Sequence, residues 1–126
     1  MTYDDQYETC ERTYATLCIY HNDLDPEYIS SQLALDPSRT QRRPIGAWFL
    51  TTRLGLDSRD LRHHLDVLLD KLADKEKAIH ELVEMGYEIR ITCLWLSKNG
   101  QGGPIISAEN MNKLARLNLD LDIDVG

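Results

Sequence analysis

Residues 13–27, TYATLCIYHNDLDPE, combine a strand signal with a helix start and decide most of the fold. Over Thr13 to Tyr20 the residues are mostly β-branched, aromatic or small, and both alternating sets of side chains are largely apolar. We therefore predict a strand here, in a central position of a sheet. Asp25 then supplies a helix N-cap and Pro26 the first helical position, so a short helix is predicted up to about Ala34.

Further elements follow on the carboxyl side of this stretch, after a polar segment over 39–44 that we interpret as a loop. The predicted elements are a strand over 47–54, a helical hairpin capped at Asp57 or Ser58 with a joint near residue 74, a strand over 87–96, a helix capped by Ser107, and a strand over 119–125. This order favours an α+β fold, with a single, mostly antiparallel sheet of four or five strands and helices on one face, in a ferredoxin-like arrangement.

The length of 126 residues suits one hydrophobic core and leaves no room for a second. We expect residues 1–11 to form a flexible tail and residues 12–126 a single domain. Hydrophobic residues make up 42% and charged residues 28%, as in ordinary soluble proteins. No apolar run approaches the roughly 20 residues of a membrane span, and the polar opening has no signal-peptide core. A cytoplasmic protein is therefore expected.

Charge is unevenly distributed along the chain. The total of 14 basic against 21 acidic residues gives a net charge of −7, so neither nucleic acid nor a membrane surface is an expected partner. Residues 1–36 have a balance of −7, whereas residues 37–62 have a balance of +4 and all their bases are arginine. Arginine binds carboxylate and phosphate groups bidentately. The candidate anion-binding residues are Arg39, Arg42, Arg43 and Arg53, with internal charge pairing or a solvated loop as the alternatives.

Three carboxylates alternate with apolar residues in the last predicted strand. Asp120, Asp122 and Asp124 therefore share one face, about 6.6 Å apart. They form a candidate surface for a protein partner. A hard cation prefers more oxygens from a folded loop, so the other interpretation is an exposed face that charge protects from edge-to-edge pairing.

No set of residues assembles a catalytic centre or a metal site. Cys18 and Cys93 fall in apolar strands, where we expect buried, inert thiols, whereas Cys10 is expected to be exposed in the tail. His63 and His64 are adjacent and would point about 100° apart on a helix, so they cannot ligate one metal as an i, i+4 pair can. We expect no catalytic residue, no metal and no cofactor.

Several short motifs together resemble a known family. They are the run Asp23 to Glu27 before a short helix, the exit Leu35 to Arg39, Gly46 and Trp48 around the next strand, GPIISAE over 103–109, and the ending Leu121 to Asp124. The chain resembles the bacterial domain-of-unknown-function family 4279 over almost its whole length after residue 12. The resemblance implies a fold and a bacterial origin, and it carries no catalytic residue.

Two function classes follow from these residues. The first is a non-catalytic binding or protein-interaction module, one form of which is an immunity-type protein that covers a basic toxin surface with its acidic strand and its amino-terminal acidic residues. The second is a small-molecule anion-binding protein or an enzyme that uses the arginine-rich loop 39–43. We favour the first class, and with it a protein that is not an enzyme and whose partner is an unknown protein. A homodimer is compatible with both.

Overall fold

The computed structural model describes residues 2–126. Its strands are β1 (Cys10–His21), β2 (Arg39–Gln41), β3 (Gly46–Thr51), β4 (Glu88–Ser97) and β5 (Asp120–Val125). Its helices are α1 (Pro26–Leu33), α2 (Leu61–Leu72), α3 (Glu76–Glu84) and α4 (Ala108–Leu117). None of the helices in this part of the chain has the length and apolar character needed to cross a bilayer.

The strands of the described residues form one five-stranded sheet in the order β2-β3-β1-β4-β5. β1 pairs antiparallel with β3 and β4, β2 pairs antiparallel with β3, and only β4 and β5 run parallel. The prediction of an α+β fold with a mostly antiparallel sheet is therefore confirmed. The ferredoxin-like arrangement is not confirmed. In the split βαβ unit of that fold, another strand lies between the two parallel strands, whereas β4 and β5 are parallel and direct neighbours.

The central position predicted for the first strand is confirmed, and β1 is longer than the pattern indicated. It begins at Cys10, which is fully buried in the core. The expectation of an exposed thiol in the tail was therefore wrong. The three-residue strand β2 also replaces part of a predicted loop, because a strand this short has no periodic pattern to detect.

Local capping chemistry sets the helix ends. Asp25 caps α1 through the backbone N–H of Glu27, and Ser107 with Asn110 forms a full capping box at α4, as predicted. The cap of α2 is Asp60, two or three residues later than predicted, and it accepts a hydrogen bond from the backbone N–H of Arg62. The predicted joint near residue 74 is confirmed by the break between α2 and α3.

Alternation along the strands gives the sheet two different faces. One, which we call the covered face, packs its apolar side chains under the helices and forms the core. Trp48 and Trp95 lie there with at most 1% of their surface exposed. The other, the open face, has none of the helices of residues 2–126 packed over it and carries an open groove. Since β2 and β5 are the sheet edges, the Asp120 to Asp124 row lies along one of them.

The first residues of the chain run along α2. The phenol of Tyr3 donates a hydrogen bond to Asp66, the carboxylate of Asp5 accepts one from Ser58, and the phenol of Tyr7 donates one to the carbonyl of Gly103. The flexibility of residues 1–11 stays a prediction, and these contacts are a physical reason to expect order from Tyr3 onward.

Candidate binding site on the open sheet face

The open face is organised as transverse rows of side chains, because cross-strand partners point to the same side of a sheet. The first row runs from β2 to β5 through Arg39, Phe49, Cys18, Arg90 and Asp120. The second row, from β3 to β5, contains Thr51, Thr16, Thr92 and Asp122. The third row contains Tyr14, Leu94 and Asp124. Each row therefore ends in an aspartate at the β5 edge.

Three arginines lie against aromatic rings on the part of this face that β2, β3 and β1 form. The guanidinium of Arg39 lies 4.5 Å from the centroid of the Phe49 ring. The guanidiniums of Arg12 and Arg53 each lie 5.6 Å from the centroid of the Tyr14 ring. Stacking on a ring holds a guanidinium in place and leaves its in-plane N–H groups free for an anion.

These arginines have no carboxylate partner of their own. Within residues 2–126, no carboxylate oxygen lies within 4.0 Å of a side-chain nitrogen of Arg12, Arg39 or Arg53. All three residues are exposed. In a chain with 21 acidic residues, three arginines on one surface therefore lie against aromatic rings without an ion pair among the described residues.

The acidic edge is only partly neutralised. Arg90 forms ion pairs with Asp122 at 3.3 Å and with Glu88 at 2.8 Å, so its charge is paired within the chain, although its buried Nε–H has no hydrogen-bond partner among the described residues. For Asp120 and Asp124, no cationic side chain of the described residues lies within 4.0 Å. The open face is consequently basic toward β2 and β3 and acidic along β5.

Hydroxyl groups and a groove occupy the centre of the face. The hydroxyl of Thr16 donates to that of Thr51 at 2.9 Å, and Ser38 accepts a hydrogen bond from the backbone N–H of Thr51 at 3.0 Å. A groove of about 650 Å³ runs over these residues and is lined by Arg39, Arg53 and Tyr14 among others. A groove of this volume can accommodate a small molecule or the side chains of a partner.

The four arginines predicted as one anion site are divided by the structure. Arg39 and Arg53 line the groove. Arg42 lies 3.8 Å from Glu27, with both side chains largely exposed, and Arg43 is exposed in the loop before Pro44. Neither Arg42 nor Arg43 lines the groove, because the turn after β2 carries them beyond the sheet.

Two arginines of this face were not among the candidates. Arg12 and Arg90 occupy alternating positions that point to the open side of β1 and β4. Arg90 lies between Ile89 and Ile91, an alternation that was visible in the sequence, whereas Arg12 lies between Glu11 and Thr13, just before the predicted strand. Arg12 contacts Tyr14 because the two residues are two positions apart on β1, whereas the contact of Arg90 with the Tyr20 ring depends on the pairing of β4 with β1, which no local pattern shows.

A second group of polar side chains, which we call the buried cluster, lies on the covered side near the N-termini of α2 and α4. It contains Asp60, His64, Asp66 and Asn110, all at most 5% exposed. Asp66 accepts hydrogen bonds from Tyr3 at 2.5 Å, from Asn110 at 2.7 Å and from Lys113 at 3.1 Å. Its bonds are used within the chain, which indicates a structural role.

Burial and hydrogen bonding act in opposite directions on the ionisable groups of this cluster. Burial would raise the pKa of Asp60, but hydrogen bonds from Arg62 and from the backbone N–H of Asp4 outweigh it, and the pKa is lowered. Burial lowers the pKa of His64. Its Nε2 lies 2.8 Å from the Ser58 carbonyl, which can only accept, so the Nε2–H donates and Nδ1 accepts from Thr52 at 2.6 Å.

The thiols match the sequence expectation for the two strand cysteines. Cys18 and Cys93 are both buried, and burial raises the pKa of Cys93 to about 12. Among residues 2–126, no group of three or more ligating side chains is placed to hold a metal ion.

The fold and this site together define an α+β protein that covers one sheet face with helices and leaves the other open, charged and grooved. The model of the family Domain of unknown function (DUF4279) matches residues 11–126. The chain therefore belongs to this family, as the sequence motifs indicated. Comparison with curated proteins and with solved structures found no match.

Proposed function

We propose that this protein is a non-catalytic binding module whose open face holds a carboxylate or phosphate group of its partner at Arg39 and Arg53. The observation that carries the proposal is that the two guanidiniums lie 4.5 and 5.6 Å from the centroids of aromatic rings, are exposed, and have no carboxylate of the described chain within 4.0 Å. A stacked guanidinium loses little side-chain entropy on binding, so each new hydrogen bond contributes more to affinity.

The chemistry of the groove supports binding rather than a reaction. Nucleophilic catalysis needs a hydroxyl or thiol beside a general base. Among the described residues no histidine lines the groove, and its one carboxylate, Asp124, lies on β5, two strands from Thr16, whose hydroxyl is already bonded to that of Thr51. The Cys18 thiol is 4% exposed and lies 3.8 Å from the Thr92 hydroxyl, which is no base.

The alternative, in which the β5 aspartates cover a basic protein, has less support on this face. Arg90 already neutralises part of that edge through Asp122, and unpaired arginines lie across the same surface. A uniformly basic partner laid over the whole open face would meet Arg39 and Arg53 as like charges, which is unfavourable.

Titration with succinate and with inorganic phosphate, followed by backbone amide NMR shifts, tests the proposal. We expect shifts on β2, β3 and the first part of β1. The double variant Arg39→Gln, Arg53→Gln should weaken binding by at least about 10-fold, because hydrogen bonds to charged groups contribute about 1.5–3 kcal/mol. The matched control is Arg42→Gln, Arg43→Gln, which removes the same charge outside the groove. Equal weakening by both double variants would reject the site.

A further inference from the structure

We propose that the occupant of the open face is a second copy of this chain, whose Asp120 and Asp124 supply the carboxylates for Arg39 and Arg53. This inference rests on the proposed function and names its partner. Its basis is the charge pattern of the face, because the unpaired cations and the unpaired carboxylates lie at opposite sides of the same open surface. One surface therefore carries both halves of a complementary pair.

In the sheet, β1 separates the side that carries Arg39 and Arg53 from the side that carries Asp120 and Asp124. In the order β2-β3-β1-β4-β5, two strands lie on either side of β1. Arg39 lies on β2 and Arg53 follows β3, whereas Asp120 and Asp124 lie on β5, the opposite edge. A two-fold axis in the interface, parallel to β1, exchanges these two sides.

The direction of the axis follows from the charges. Two sheets stacked face to face about 10 Å apart can be related by a two-fold axis along the strands or across them. The axis along the strands places the β2 edge of one copy over the β5 edge of the other, so that Arg39 faces Asp120. Arg53, which continues β3, then faces Leu94 on β4 and lies one strand from Asp124, a distance that its long side chain can reach. The axis across the strands places each edge over itself and brings Arg39 near Arg53 of the second copy. Electrostatic complementarity selects the first.

The centre of the face suits such a contact. With the axis along β1, the half-buried rings of Tyr14 and Tyr20 lie near the middle, and Arg90 of one copy faces the Phe49 ring of the other. Half-buried aromatic residues are typical of interface cores. Hydroxyls of the two copies would also pair, since Thr92 on β4 of one copy faces Thr51 on β3 of the other.

The position of Arg12 near the proposed two-fold axis leads to a separate testable effect on dimer affinity. Arg12 lies on β1 and stacks on Tyr14, so an axis along β1 brings the Arg12 side chains of the two copies near each other. Like charges weaken the contact at that point. The variant Arg12→Gln should therefore tighten the dimer, by about two- to fivefold in the dissociation constant.

Sedimentation equilibrium of the full chain, at concentrations up to the millimolar range, measures the dimer directly. The acidic-face variant Arg39→Asp, Arg53→Asp and the basic-face variant Asp120→Arg, Asp124→Arg should each raise the dissociation constant on the order of 100-fold. An equimolar mixture of the two variants should recover the dimer as a heterodimer. Arg42→Asp, Arg43→Asp is the control of matched charge and should leave the constant unchanged.

All the substituted positions are exposed, so circular dichroism should report an unchanged fold for each variant. A wild-type chain that stays monomeric throughout, a dimer that both face variants retain, or a mixture that fails to recover it would overturn the second copy as the occupant. Succinate binding to a chain that never dimerises would reject this inference and leave the proposed function standing. A recovered heterodimer together with tightening by Arg12→Gln would establish it.

Discussion

Trp48 and Phe49 are neighbours in β3 and lie on opposite faces of the sheet. Trp48 is fully buried under the helices and donates from its indole to Ser30 at 3.1 Å. Phe49 is half-buried on the open face, where the Arg39 guanidinium covers its ring. The comparison separates two uses of an aromatic side chain. One fills the core and stabilises the fold, and the other positions a charged group at the surface.

The polar groups of the two faces differ in whether their own chain supplies their bonding partners. Asp66, on the covered side, has three hydrogen-bond donors from its own chain. Arg39 and Arg53, on the open side, have a ring beneath them and no carboxylate within 4.0 Å among the described residues. A satisfied buried group contributes to stability, whereas an exposed, positioned and unsatisfied group is available for a partner.

The largest effect expected from this comparison is on stability, at the two neighbouring aromatics. Trp48→Ala should lower the free energy of unfolding by about 3–5 kcal/mol, because it leaves a large cavity in the core and an unpaired Ser30 hydroxyl. Phe49→Ala should cost no more than about 1–2 kcal/mol, since its site is open to water. Urea denaturation of both variants measures the difference. Similar losses at the two positions would show that the open face contributes to the core as much as the covered face does.

Two aspartates give the next largest difference. Asp66→Ala should lower the free energy of unfolding by about 2–3 kcal/mol, because Tyr3 and Asn110 lose their acceptor in a buried site, while Lys113 keeps Asp70 at 2.9 Å. Asp122→Ala removes an exposed pair with Arg90 and should change it by less than about 1 kcal/mol. Thermal unfolding of both variants tests this pair. A larger loss for Asp122→Ala would assign a structural role to the acidic edge and would weaken its assignment as a binding surface.

A smaller effect is the change of the free energy of unfolding with pH that His64, on the covered side, produces. Burial lowers the pKa of His64 in the folded protein, whereas the unfolded chain has a histidine pKa of about 6.5. On acidification the unfolded state binds the proton first, so the stability present above about pH 6.5 decreases as the pH falls, by at most about 1.4 kcal/mol per pH unit.

Urea denaturation between about pH 7 and pH 5 measures this dependence. His64→Gln keeps a donor for the Ser58 carbonyl and an acceptor for Thr52, so the variant should lose that part of the slope. An identical slope in both proteins would mean that His64 does not titrate differently in the folded and unfolded states.

Much of the fold could be predicted from the sequence, because it depends on local patterns. Alternation in β1 and β4, the Asp25 cap of α1 and the Ser107 capping box are properties of short segments. The ferredoxin-like arrangement was not confirmed for a different reason. Strand order depends on contacts between distant segments, and no local pattern in β5 states that it lies beside β4.

The candidate site was predicted in part for the same reason. Arg39 and Arg53 were identified by residue type and proximity in sequence, and that criterion also included Arg42 and Arg43, which lie outside the groove. Internal charge pairing was the alternative for these arginines. In the structure Arg39 and Arg53 share the open face with the β5 aspartates but lie at the opposite side of it, a relation that only the sheet order determines.

The smallest expected effect on stability is at Arg39, and it is the most informative about the open face. Arg39→Gln removes one exposed cation–π contact and no ion pair, so the free energy of unfolding should change by at most about 0.5–1 kcal/mol. The same variant should weaken succinate binding severalfold. Parallel measurements of unfolding and binding on one protein preparation compare the two effects. A loss of stability without a loss of binding would mean that Arg39 is held on Phe49 for the fold, and the distinction between the two faces would then fail at the residue where it is sharpest.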